Sequence, residues 1–210
     1  MTKLKNIIFD LGGVIIDLDY NRTASAFKQL GIADFDDIYS KAKQTTLFDD
    51  FEKGISTDND FRNALKKYLP TTITDAAIDH AWNAMLLDIP SHRVDFLKEV
   101  SKHYRIFLLS NTNHIHVLSF TAYADKKFGA GVFENIFEKH YYSCEMRMRK
   151  PDAEIFEKVI DQNKLNKSET LFIDDSIQHI HGAEKIGMKA EWLNIPEGES
   201  IEKKYAYFLS

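Results

Sequence analysis

Four short runs of branched and aromatic residues, each cut off by polar or turn-forming residues, constrain this chain more than any other feature. They cover 6–9, 105–109, 170–173 and 190–193. Apolar and polar positions do not alternate in them, as expected for strands of a parallel sheet whose two faces are both covered. Helical spacing fills the gaps. Val94, Phe96, Leu97 and Val100 recur at helical intervals within 91–103, and Ile155, Phe156, Val159 and Ile160 do so within 153–162. A third helical stretch spans 176–186, with Gly187 placed to cap it. Strands alternating with helices through right-handed crossovers predict an α/β fold, a doubly wound parallel sheet of Rossmann-like type.

One stretch breaks the alternation. From about 21 to 90 the chain reads as helix after helix, over 23–30, 35–43, 58–68 and 75–86, punctuated by Gly31, Gly54 and Pro70. Lying between the first and second strands, it is expected to be an inserted helical cap over 19–90, on a core domain made of 1–18 and 91–210. A chain of 210 residues, 44% of them hydrophobic, has the material for one domain plus an insertion. The tail after Pro196 is expected to be a loop leading to a short terminal piece.

Charge narrows the partners. The net charge is −5 with acidic and basic residues interspersed, and the absence of any Lys/Arg block argues against nucleic acid and anionic membranes. The apolar runs are too short to span a bilayer, and because the first residues run straight into a strand no signal peptide is expected. Cys144 is the single cysteine, so an internal disulfide is impossible and a reducing, cytoplasmic setting is expected. No His–Cys motif accompanies it, and it reads as an inert thiol.

Ligands of open parallel sheets bind where strands end and loops begin, at the carboxyl edge. Those edges carry Asp10-Leu11-Gly12-Gly13, Ser110-Asn111-Thr112-Asn113 and Asp174-Asp175-Ser176, and Arg149-Lys150-Pro151-Asp152 opens a helix nearby. Carboxylates, a hydroxyl, amides and an ammonium at one rim suggest phosphoryl transfer. A carboxylate attacks phosphorus only when charge repulsion is offset, which a divalent cation and an ammonium can do. Mg²⁺ favours hard oxygen donors, and Asp10, Asp174, Asp175 and the Gly12 carbonyl offer them. Ser110 and the Asn111 backbone suit phosphate oxygens, and Lys150 suits developing negative charge. Gly12 and Gly13 permit close backbone approach.

Each residue alone has an ordinary reading. An Asp after a strand is commonly a turn residue or a cap, and a double Asp opening a helix is commonly an N-cap beside a favourable dipole. Ser110 alone suits a turn, and Lys150 before Pro151 suits a solvated surface. Their order, spacing and shared edge give them force together.

The set Phe9-Asp10-Leu11-Gly12-Gly13-Val14, Leu109-Ser110-Asn111, Lys150-Pro151 and Asp174-Asp175 resembles the four motifs of the haloacid dehalogenase-like hydrolase superfamily, over almost the whole chain. The helical insertion between the first two motifs is similar to the C1 cap of its β-phosphoglucomutase-like branch. Val14-Ile15-Ile16-Asp17-Leu18-Asp19, Ser110-Asn111-Thr112-Asn113 and Met148-Arg149-Lys150-Pro151 are similar to the α-D-glucose-1-phosphatase branch. The resemblance implies a Mg²⁺-dependent phosphatase acting on a small phosphorylated metabolite, such as a sugar phosphate. By it Asp10 is the nucleophile that forms an aspartyl phosphate, and Ser110 and Asn111 bind the phosphoryl group. Lys150 fixes nucleophile and phosphate. Asp175 is the direct metal ligand, with Asp174 beside the metal or joined to it through water.

One position departs from the pattern. Phosphatase members carry an acid/base Asp two residues after the nucleophile, where this chain has Gly12. A good leaving group, such as an anomeric phosphate, would lessen the need for it. Asp17 and Asp19 are the nearest substitutes in sequence; their other reading is as loop carboxylates at the cap hinge. Two further readings stay open: a metal-independent L-2-haloacid dehalogenase, against which the Asp174-Asp175 pair argues, and a binding or regulatory protein in which Gly12 marks lost activity.

Other residues rank lower. His114 and His116, like His179 and His181, are spaced to point apart on a helix, a poor arrangement for zinc. Trp82, Phe48, Phe51 and Phe61 read as cap core. Arg22, Lys43 and Lys53 read as solvated charges, with contact to a sugar or second phosphate as the alternative.

Overall fold

The computed structural model describes residues 3–32 and 46–209. One parallel sheet runs in the order β3-β2-β1-β4-β5, with β1 at Asn6–Phe9, β2 at Arg105–Ser110, β3 at Lys139–Tyr142, β4 at Thr170–Asp174 and β5 at Lys189–Trp192. Four of these match the apolar runs to within a residue at each end. β3 was not expected: it reads Lys-His-Tyr-Tyr at the sheet edge, with only its two tyrosines buried, and so leaves no apolar run.

The helices are α1 (Tyr20–Gln29), α2 (Leu47–Glu52), α3 (Asp58–Lys66), α4 (Asp75–Asn83), α5 (Ser91–Val100) and α6 (His114–Phe128). The chain continues with α7 (Val132–Ile136), α8 (Ser143–Met146), α9 (Ala153–Asn163), α10 (Ile177–Lys185) and α11 (Ile201–Lys204). Side-chain caps set several starts. Asp19 accepts the Asn21 N–H, which begins α1 three residues before its apolar pattern does; Thr57 and Asp60 form a capping box on α3; and Thr74 caps α4. The expected helix over 35–43, and Lys43 with it, lie outside the described residues. None of the described helices is long and apolar enough to cross a membrane.

Alternate residues of the central strands face opposite layers. Ile7, Phe9, Ile106, Leu108, Leu171 and Ile173 join one apolar cluster with α5, α6, α7 and the C-terminal tail. Ile8, Phe107, Leu109 and Phe172 join another with α9 and α10. Both faces are therefore covered, which is why the strands read as unbroken apolar runs.

The helices between β1 and α5 bury a cluster of their own around Phe27, Phe48, Phe51, Phe61 and Trp82. The chain enters and leaves this helical layer side by side. Leu18 pairs antiparallel with Leu86, and Asp17 exchanges backbone hydrogen bonds with Leu87 and Asp88 at 2.9 and 3.0 Å.

Candidate active site

Parallel pairing sets the level of the site. Phe9 lies opposite Leu108 of β2 and Ile173 of β4, so the residues that follow, Asp10, Leu109 and Asp174, come out side by side. β1 is also where the strand order reverses, and such a switch opens a crevice at the carboxyl end of the sheet. The Asp10 N–H donates to the Ile173 carbonyl at 2.9 Å and keeps that residue in register.

Lys150 is wholly buried in the crevice. Its Nζ donates to Asp10 Oδ1 and Asp174 Oδ2, each at 2.6 Å, and to the Leu109 carbonyl at 2.9 Å. Those contacts use all three ammonium protons. Burial pulls the ammonium toward neutrality, but Asp10 and Asp174 outweigh it and hold Lys150 charged. The backbone around Lys150 is fixed by Asn111, whose Oδ1 accepts the Lys150 N–H and whose Nδ2 donates to the Lys150 carbonyl, both at 2.9 Å. The Asn111 side chain is thus a clamp on the Lys150 loop, a role its position beside Ser110 does not announce.

The two adjacent aspartates part company. Asp174 is fully buried; its oxygens take Lys150, the Ser176 N–H at 2.8 Å and His179 Nδ1 at 2.9 Å. Burial pushes its carboxyl up, and Lys150 and His179 more than reverse this, to about 2. Asp175 is open to the cavity and is pushed up to about 6 by partial desolvation and by Asp174. Its carboxyl rests against Gly13. A Cβ at Gly13 would fall 2.8 Å from Asp175 Cγ, and the residue has φ +74, so glycine is required twice over. Burial pushes Asp10 up to about 7, with Lys150 pulling against it and Asp174 and Asp175 adding to the rise.

One ammonium therefore faces three carboxylates, whose oxygens lie within 4.8 Å of one another. Hard oxygen donors in excess of the local positive charge, with no imidazole or thiol among them, fit Mg²⁺ better than zinc. Gly12 lines the same wall. A Cβ there would meet Leu18 Cδ1 at 2.7 Å, so the loop is packed around the lack of a side chain at this position.

A cavity of about 600 Å³ opens above these groups. Asp10, Ser110, Asn111 and Asp175 form its floor, and Glu52, Trp82, Met85 and Leu86 of the helical layer form a wall, with Arg149, His116, Phe120 and His179 from the core. Asp17 and Asp19 are not in the lining. Asp17 pairs with Arg93 at 2.8 Å and Asp19 caps α1, so both carboxylates are engaged away from the cavity. Arg22 lies beside Asp19 at 3.6 Å, and neither it nor Lys53 lines the cavity.

Sequence reasoning passed over several lining residues. His116 is buried and stacks on Trp82 with ring centroids 5.1 Å apart. Its Nε2 lies 3.3 Å from the Trp82 carbonyl, which only accepts, so Nε2 carries the proton and Nδ1 accepts from Asn113 Nδ2 at 3.1 Å. Asn113 Oδ1 in turn accepts from Trp82 Nε1 at 3.3 Å. Burial pushes the His116 pKa down to about 4, leaving a neutral ring that ties α4 to the loop after β2. Both His116 ring nitrogens are thus engaged, while His114 is exposed and bonds Asp58 at 2.8 Å. Cys144 is half-buried and its thiol is pushed up to about 11 by burial, so it stays protonated at neutral pH.

The family model for haloacid dehalogenase-like hydrolases matches residues 4–187. A D-ribitol-5-phosphate phosphatase of Bacteroides thetaiotaomicron is 32% identical over 186 residues, covering 89% of this chain and 90% of that protein. A crystal structure of a HAD family enzyme from Bacteroides thetaiotaomicron, the wild-type protein in complex with magnesium and inorganic phosphate, is 36% identical. It superposes with a TM-score of 0.87 over 96% of this chain and 99% of that one. A HAD-like family hydrolase from Porphyromonas gingivalis is 31% identical, with a TM-score of 0.86 over 99% and 98% of the two chains. With the family model running from the first strand through the helical layer to the residues after β4, the chain belongs to the haloacid dehalogenase-like hydrolases.

Proposed function

We propose that this hydrolase is a Mg²⁺-dependent phosphatase of a small phosphomonoester and that Asp10 is its nucleophile. The observation that carries the reading is the buried Lys150 ammonium bonded to both Asp10 and Asp174, with Asp175 open to the same cavity. In this reading Asp10, the Gly12 carbonyl and Asp175 hold the metal. Asp174, its oxygens already bonded, takes part from behind or through water. Bound Mg²⁺ would neutralise charge that the phosphate brings to the carboxylates. The relative crystallised with magnesium and inorganic phosphate supports this assignment.

The chain's own groups divide the work. Lys150 holds Asp10 Oδ1, which leaves the other oxygen to attack phosphorus. The ester P–O bond breaks as the new bond to Asp10 forms, the alcohol leaves and takes its proton from water, and a second water then attacks the acyl phosphate, releasing inorganic phosphate and restoring the carboxylate. Ser110 and the Asn111 backbone cradle phosphate oxygens. Lys150 acts through its charge, since its protons are committed. The helices over 19–90 serve as a cap on a core of 1–18 and 91–210, with the paired linkers at Asp17 and Leu87 as the hinge.

Two substrates bracket the class. The finer motif resemblance points to a sugar phosphate such as α-D-glucose 1-phosphate, and the B. thetaiotaomicron relative acts on D-ribitol 5-phosphate. The anomeric ester has the better leaving group and makes less demand on the acid missing at Gly12. The test is a panel of phosphomonoesters with and without Mg²⁺, run on the wild type and on Asp10→Asn. Metal-dependent turnover that Asp10→Asn abolishes supports the proposal. Metal-free release of halide from an L-2-haloacid would replace it with the dehalogenase reading, and an inert wild type would favour a binding protein.

A further inference from the structure

Arg149 precedes the buried Lys150 and lies on the wall of the same cavity, facing Glu52 at the end of α2. Its Nη2 lies 3.1 Å from Glu52 Oε2, and its Nη1 bonds Asp49 one turn earlier on that helix. Glu52 is held from behind. The Glu52 carbonyl accepts from Ser143 Oγ at 2.6 Å, and that wholly buried hydroxyl also accepts the Thr112 N–H at 2.9 Å. Close by, a Cβ on Gly54 would run into the Cys144 carbonyl group, so the α2 end of the cap is seated directly on the core.

We propose that Glu52 and Arg149 select the organic part of the substrate, and that they select a neutral, hydroxyl-rich group. This rests on the phosphatase reading above. A guanidinium alone would suit a second phosphate or a carboxylate. Here two carboxylates already flank it, so a further anion meets repulsion at Glu52. A hydroxyl meets no such penalty, because it donates to the Glu52 carboxylate while accepting from an Arg149 N–H. Two contacts account for only part of the guanidinium's five donors, so it can serve a ligand without leaving Glu52. Trp82, Met85 and Phe120 line the same cavity and add apolar surface that would suit the C–H face of a sugar or polyol.

The alternative is that the Arg149 ion pairs only latch the cap to the core. Glu52→Gln and Asp49→Asn separate the two, since each removes one partner of Arg149 but only Glu52 lines the cavity. The readout is the ratio of kcat/KM for a pentitol or hexose phosphate to that for p-nitrophenyl phosphate, with Mg²⁺ present and folding checked by Tm. Sites built around substrate hydroxyls lose such discrimination steeply, so Glu52→Gln should lower the ratio about tenfold or more, through KM. It should also narrow the preference for a sugar phosphate over its carboxylated aldonate analogue. Asp49→Asn should leave the ratio at the wild-type value. The proposal is overturned if Glu52→Gln changes both substrates alike, or if Asp49→Asn lowers the ratio equally. A wild type inert toward every phosphomonoester would instead overturn the phosphatase reading, and this inference with it.

Discussion

Replacing Gly13 with Ala tests the proposed metal cradle with a single carbon. Gly13 has φ +74, where a residue with a Cβ is strained by about 1–2 kcal/mol. The new Cβ would fall 2.8 Å from Asp175 Cγ. Carbon atoms rest at roughly 3.5–4.0 Å, so the carboxyl must retreat by about 1 Å. Mg²⁺ holds its oxygens at about 2.0–2.1 Å in a near-ideal octahedron, and a shift of that size removes or weakens one ligand. Loss of groups that orient a metal ligand costs about 10–100-fold in affinity, or about 1.4–2.8 kcal/mol. Two assays follow: Mg²⁺ titrated against phosphatase activity, and Mg²⁺ binding measured by calorimetry. Thermal unfolding reports the strain separately. Gly12→Ala is the matched comparison. Its φ is ordinary and its Cβ meets only the tip of the Leu18 side chain, which can turn aside, so it should cost less than Gly13→Ala. A folded Gly13→Ala protein with wild-type Mg²⁺ affinity would refute the placement of Asp175 as a direct ligand.

Three further outcomes are expected. Lys150→Met leaves Asp10 and Asp174 buried without their cation, which should cost about 3–5 kcal/mol in urea unfolding at pH 7 and abolish turnover; Lys150→Arg should keep more of the stability than of the activity. His116 is held neutral in the fold, its pKa depressed from 6.5 to about 4, so its contribution is fully present above pH 6.5 and is lost as pH falls toward 4, by about 3 kcal/mol. Unfolding free energies at pH 7, 5.5 and 4.5 should fall less steeply for His116→Asn than for the wild type, and equal slopes would contradict the buried neutral ring. With Gly12 in the acid position, turnover should depend steeply on the pKa of the leaving alcohol, because general acid catalysis typically contributes ~10²–10⁴-fold and is felt most by poor leaving groups. A flat dependence across aryl, anomeric and primary alkyl phosphates would mean that another group delivers the proton.

The strands that carry the site were legible because burial on both faces forces unbroken apolar runs, and each of these runs ends at a residue the proposed chemistry uses. β3 escaped notice because an edge strand needs only one covered flank, so Lys139 and His140 occupy it freely. α6 escaped because only Ile115, His116, Phe120 and Ala124 of its 15 residues are buried, too thin a stripe for helical periodicity. The division of labour between Asp174 and Asp175 depends on a strand reaching one residue further than its apolar run. Asp174 ends β4 and turns inward, and Asp175 is the first residue outside. The roles of His116, Glu52 and Arg149 arise where the helical layer meets the core, from side chains far apart in sequence, and no local pattern encodes such contacts.

The buried Lys150 cluster also explains why the proposed chemistry sits on β1 rather than at an edge. Lys150 reaches Asp10 across 140 residues of chain and Asp174 across 24. Burying three such charges is at best neutral for stability, since desolvation offsets most of the attraction between them. The cluster cannot therefore assemble its own framework. It needs strands positioned by other forces, and β1, paired on both sides and wholly buried, is the one element whose register fixes β2 and β4 together. Each of its neighbours then delivers one partner, the Leu109 carbonyl from β2 and the Asp174 carboxylate from β4, to within hydrogen-bonding distance of one ammonium. At a sheet edge one of those partners would be missing, and Lys150 would face an unbalanced charge with no water to compensate it.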